Sequence, residues 1–189
     1  MEIDHSENSS EREIVFSIYK GYLFSFILSG LWFLCCWLAI GFLFGNHEVI
    51  LEGAKKTFFH VEFGLPVFIA GMIVRECLKS LVLKFYANIP WNAQNTGFSM
   101  SSLMPYVQSK YPIPARKYAL TLLIPPFILI QIIWLSFIYQ YGEWIILSTL
   151  WLFFSGFDIL TAFKLYKYKS FLAADHPDLP GAIIYENPF

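Results

Sequence analysis

Charge is scarce in this sequence. Lys and Arg number 13 and Asp and Glu 14 among 189 residues, for a net charge of −1. That near balance excludes a global basic field for nucleic acid and an acidic tail long enough to act as an arm. Cysteine is also rare. Cys35, Cys36 and Cys77 all lie in apolar stretches, so no disulfide framework or Cys-x-x-Cys metal knuckle is available, and each thiol reads as a small buried hydrophobe. There is no glycine-rich phosphate loop, no Gly-x-Ser-x-Gly nucleophile elbow and no Cys/His pair at catalytic spacing. Ser80 follows Lys79, but neighbours on a helix point about 100° apart, which is wrong for a Ser/Lys dyad.

What the sequence has in quantity is apolar surface: 57% of residues are hydrophobic and 20% aromatic. That is too much for an ordinary soluble domain and indicates an integral membrane protein of the all-α class. Four stretches have the roughly 20 apolar residues needed to cross a bilayer. They run over about 22–45, 64–86, 118–139 and 143–165. The third contains Pro125-Pro126, which predicts a kink or break because each proline removes a backbone donor. Only "QYGE" separates it from the fourth, so these two form a tight antiparallel pair.

The division expected is a polar N-terminal tail over 1–19, a four-helix membrane domain over 20–169 and a C-terminal segment over 170–189. The first dozen residues are polar and acidic, unlike the basic start of a secretory signal, so they read as a retained tail. Lys and Arg cluster at the tail, around the 87–116 loop and after the last span, whereas the 46–63 loop has only Lys55 and Lys56. The positive-inside rule then puts both termini and the long loop in the cytoplasm of a multi-pass protein of the cell membrane. Within that loop "GFSMSSLMPYV" alternates apolar and small polar residues, fitting a short strand or hairpin at the interface. The C-terminal "LAADHPDLPGAIIY" reads as irregular chain with two turn signals and a β-prone end. Trp32, Trp37, Trp134, Trp144 and Trp151 suit packing and an interfacial belt and require no cofactor.

The second stretch is the anomaly, because "VRECLKS" places Arg75, Glu76 and Lys79 in mid-span. Each costs roughly 2.5–3.5 kcal/mol at a helix centre before it finds a partner. Arg75 and Lys79 lie one turn apart on one face, and one carboxylate cannot balance both. Asp158 is the other intramembrane carboxylate, at a depth within a few ångströms of these three at 1.5 Å per residue. An ion-pair cluster of Arg75, Glu76, Lys79 and Asp158 between the second and fourth spans follows.

The marked second span, the loop ending "MPYVQSKYPIPARKY", the proline-bearing third span, then "SGFDILTAFKLYK" and "DHPDLPGAIIY" together resemble the zincin-peptidase family of prokaryotic membrane proteins. That family is of largely unknown function and distantly similar to the site-2 intramembrane metalloproteases. The resemblance covers about residue 60 to Tyr185. It implies a second span carrying H-E-x-x-H, whose two histidines bind zinc and whose glutamate activates the bound water, with a later aspartate as third ligand. Laid over this sequence, the motif falls on Arg75-Glu76-Cys77-Leu78-Lys79 and the aspartate on Asp158.

Glu76 is thus the catalytic position by resemblance, but both histidine positions hold cations. A guanidinium offers no lone pair, and an ammonium offers one only after losing its proton. The expectation is therefore a non-enzymatic member without cofactor, held by an ion-pair core where zinc would sit, with the bilayer and another membrane helix or peptide as partners. The alternative is a surviving membrane peptidase with a metal on His176, Asp158 and Glu76; for Asp175, capping of the Asp-His-Pro turn is the simpler role. For a small transporter using the charges as a relay, four spans are few and a homo-oligomer would be needed.

Overall fold

A computed structural model describes residues 11–45, 47–99, 104–176 and 181–185. The chain is mostly helical. Its elements are β1 (Glu11–Val15), α1 (Ile18–Phe44), α2 (Glu48–Phe59), α3 (Val61–Phe85), β2 (Gln94–Ser99), β3 (Met104–Ser109), β4 (Ile113–Pro114), α4 (Ala115–Ile130), α5 (Ile133–Tyr139), α6 (Glu143–Phe154), α7 (Gly156–Leu165), β5 (Leu172–Asp175) and β6 (Gly181–Tyr185).

Two helical runs, Ile18–Phe44 and Ala115–Tyr139, are long and apolar enough to cross a membrane; the count rises to four if α2–α3 and α6–α7 each form one bent span. In α1 the apolar residues face every direction, and the outward side carries Phe26, Ile27, Leu31, Leu38 and Phe42, all exposed. It ends where Gly45 adopts a left-handed conformation and its N–H bonds the Gly41 carbonyl; glycine takes this conformation without a Cβ penalty.

Several elements differ from the sequence expectation. The 46–63 connection is not a plain loop, since α2 fills most of it and meets α3 at a sharp bend. Pro125 and Pro126 lie buried inside α4, and the irregular turn comes later, at Gln131–Ile132. The fourth stretch is the broken one, with α6 and α7 bent by 50° around Ser155. The tail contributes a strand: Glu11–Val15 pairs antiparallel with Gly181–Tyr185. The long loop does form an antiparallel pair, Gln94–Ser99 with Met104–Ser109, the connecting residues 100–103 lying outside those described.

The main sheet has the order β1-β6-β5-β4, all antiparallel. It draws together three segments remote in sequence and caps one end of the bundle. Its inner side, Ala173, Ala182 and Ile184, packs on Leu83 of α3, Tyr118 and Leu122 of α4 and Ala162 and Leu165 of α7. A second core lies at the other end, where Ile40 of α1, Ile50 of α2, Ile133 of α5 and Ile145 of α6 meet. Between them Met72, Leu129, Leu147 and Trp151 join α3, α4 and α6.

Candidate functional site

The buried charges collect where α3 crosses the break between α6 and α7. Gly71, one turn before Arg75, carries no side chain, and the Trp151 indole occupies the space a Cβ would need. From there Trp151 Nε1 donates to the Phe68 carbonyl at 3.2 Å. This contact holds the end of α6 against α3. The helix stops at Phe154, leaving carbonyls with no intrahelical donor, and Arg75 Nη1 donates to the Phe154 carbonyl at 2.9 Å. A guanidinium there also meets the negative end of the α6 dipole.

The rest of Arg75 is held by carboxylates. Nε and Nη2 both donate to Glu76 Oε1, at 2.8 and 2.6 Å. Asp158, in the first turn of α7, lies 3.8 Å from Nη2 through Oδ2. The helix break thus serves both charges: its carbonyl end faces the cation and its amide end stabilises the carboxylate. Arg75, Glu76 and Lys79 are 7%, 5% and 6% exposed, which makes every partner matter, because a buried unpaired charge is costly.

Lys79, one turn further along α3, does not take Asp158 as its near partner. The carboxylate in ion-pair range is Asp175 of β5, with 3.8 Å between Nζ and Oδ1. Tyr118 of α4, itself buried, donates its hydroxyl to the same Oδ1. Burial pushes the Asp175 carboxyl above its ordinary 3.8 and Asp158 adds to the rise, while Lys79 and the Tyr118 hydrogen bond pull it back. The cluster therefore holds two cations against three carboxylates. Among the described residues, Glu76 Oε2 and Asp175 Oδ2 are buried without a hydrogen-bond donor.

The four residues singled out in the sequence lie along one seam, but as two linked groups: Arg75 with Glu76 and Asp158, and Lys79 with Asp175. Asp175 belongs to this seam; the turn that it is expected to cap runs into residues 177–180, outside those described. The Ser-Gly pair at 155–156 carried the signal for the helix break, and Gly156 packs against Ser25 of α1 with no room for a side chain. His176 has its Nε2 3.8 Å from Glu13 Oε2 of β1. Among the described residues no three of His, Cys, Asp and Glu gather as a metal site. His60 and Glu62 form an exposed pair at 3.1 Å.

No family description, no curated protein and no solved structure matches this chain.

Proposed function

We propose that this is a four-span membrane protein of zincin-peptidase-like architecture that does not hydrolyse peptides, its cation–carboxylate seam standing where a zinc centre would lie. The observation that carries the reading is the occupation of both histidine positions by cations that carboxylates already engage. Glu76 Oε1 receives two N–H groups of Arg75, and Lys79 faces Asp175. Such a set does not fit zinc, which needs neutral imidazole, thiolate or a free carboxylate oxygen at bonding distance. Arg75 and Lys79 supply positive charge to Glu76 and Asp158 but no Lewis acidity, so no water is activated. What the seam offers instead is a fixed, buried ion-pair core that holds the bundle together, leaving its apolar outer faces for contact with the bilayer or with another membrane helix or peptide.

The main sheet supports the number of spans. Segments 11–15, 113–114, 172–175 and 181–185 belong to one sheet, so they share one side of any bilayer, and the chain between 15 and 113 and between 114 and 172 crosses an even number of times. One crossing by α1 and one by α3, then one by α4–α5 and one by α6–α7, meets that condition. The apolar outer face of α1 supports the membrane placement, since soluble monomers rarely expose such a patch.

Elemental analysis of the purified protein tests the proposal. Zinc well below one equivalent is expected, and a stoichiometric content overturns it. The Arg75→His/Lys79→His double variant should acquire zinc, since it returns two ligands beside Glu76 and Asp158.

A further inference from the structure

We infer that the end of the bundle opposite the sheet carries a second site, one that binds the zwitterionic headgroup of a phospholipid. Lys56 of α2 reaches across to α6 and donates to Glu143 Oε1 at 2.6 Å. The same ammonium lies 4.9 Å from the ring centre of Phe63 and 5.6 Å from that of Tyr141. Beside this group is a cavity of about 360 Å³, whose wall also includes Tyr139 and Trp144. Its size falls at the small end of the roughly 300–1,000 Å³ typical of ligand sites.

The walls are already in place. Trp144 stands edge-on to Phe63 at 6.4 Å, and Tyr139 stacks on Tyr141 at 5.9 Å. Behind them Gly53 of α2 meets the Gly142 backbone so closely that a Cβ at Gly53 would have no room. This contact fixes the α2–α3 elbow against the α5–α6 turn, so binding would order few groups, a saving in entropy that favours affinity.

The charges choose the ligand. Glu143 is buried, its side chain 7% exposed, whereas that of Lys56 is 48% exposed. Among the described residues Glu143 is the one hydrogen-bond acceptor that Lys56 meets. An ammonium has three donors, so Lys56 can take an external anion on its open side. A purely anionic headgroup would meet the field of Glu143, and a purely cationic one that of Lys56. A headgroup carrying both signs satisfies each: phosphate on Lys56, ammonium against the aromatic faces and the carboxylate. Aromatic rings with one apolar and one polar edge are also suited to the headgroup level of a bilayer.

This inference rests on the membrane reading above, and the test separates the two. The full-length protein in detergent is mixed with phosphatidylethanolamine or with phosphatidylglycerol of the same acyl chains, and retained lipid is counted by native mass spectrometry. Free phosphoethanolamine is run alongside. About one phosphatidylethanolamine should be retained, about tenfold more strongly than phosphatidylglycerol, the worth of one charge-assisted contact. Lys56→Met and Tyr139→Ala should each weaken that retention, and Glu143→Gln should narrow the preference. Tyr139 is exposed, so its variant leaves the core intact. Equal retention of the two lipids, or retention unchanged in all three variants, overturns the site. Free phosphoethanolamine binding as well as the lipid overturns the lipid assignment. A protein that stays dispersed without detergent overturns the membrane reading itself.

Discussion

A guanidinium buried in a helix bundle needs an acceptor for its N–H groups as well as a counter-charge, and Arg75 has both in Phe154, Glu76 and Asp158. Lys79 is less well served, with Asp175 at 3.8 Å. Since three carboxylates face two cations, the balance of the whole seam, and not each pair, should govern the effect of a substitution. Lys79→Met leaves one cation against three carboxylates and should cost about 3–5 kcal/mol, the usual penalty for stranding a buried charge. Asp175→Asn leaves two against two and keeps an acceptor for Tyr118, so its cost should be about 1 kcal/mol or less. Equal losses in chemical unfolding of the detergent-solubilised protein would restore a pairwise account.

The same aspartate sets a pH dependence. Burial raises its folded-state value above the ordinary 3.8, so its ionised form opposes folding at neutral pH. Acidification through the raised value toward 3.8 relieves that penalty, and its contribution to stability grows as pH falls. The gap in unfolding midpoint between the parent and Asp175→Asn should therefore shift in the parent's favour between neutral pH and pH 4. Arg75, Glu76 and Asp158 were legible in the sequence because charge in an apolar run cannot go unpaired. Asp175 was not, because its approach to Lys79 depends on β5 pairing with β4 and β6, and "DHP" by itself signals only a turn.

Among the elements, the discontinuous helix does most to shape the seam. Buried backbone left without an intrahelical partner needs one from elsewhere, and here Arg75 supplies one to the Phe154 carbonyl. From sequence, a kink or break is expected at Pro125-Pro126. An absent N–H, however, affects only the carbonyl one turn earlier, and the remaining bonds carry α4 on to Ile130. The break at 155–156 is instead favoured by a glycine packed against α1 and by the Ser155 hydroxyl, which bonds the Trp151 carbonyl at 2.8 Å. The approach of α6 to α3 depends on Gly71. Gly71→Ala should push the buried Trp151 indole aside and cost about 1–3 kcal/mol, typical of overpacking a filled core. A thermal unfolding scan showing an unchanged midpoint would mean that the indole moves freely.

At the scale of the molecule, the two ends differ in kind. One is capped by a sheet bordered by Arg12, Arg116, Lys167 and Lys169; the other presents Lys55, Lys56 and the aromatic cavity. If the chain spans the membrane as proposed, the positive-inside rule predicts that the sheet faces the cytoplasm. A cysteine introduced at Lys55 should then react with a membrane-impermeant maleimide on intact cells, and one at Lys167 only after permeabilisation, as read by gel shift. The reverse pattern would invert the topology. Helix existence was readable from hydropathy because it is local. The sheet was not, because β1 and β6 pair across nearly the whole chain and neither segment is long or strongly patterned on its own.

That pairing has a consequence for assembly. On the proposed membrane placement, α3 would be made and inserted long before β5 and β6 exist, so Lys79 would enter the bilayer without Asp175. The bundle gains that counter-charge only when the last strands dock, and β6 in the same step closes on β1, made at the outset. Completion of the sheet and the arrival of Asp175 beside Lys79 are therefore one event. A chain truncated before Leu172 would retain all four apolar stretches but lose both the carboxylate nearest Lys79 and the strand that closes on β1.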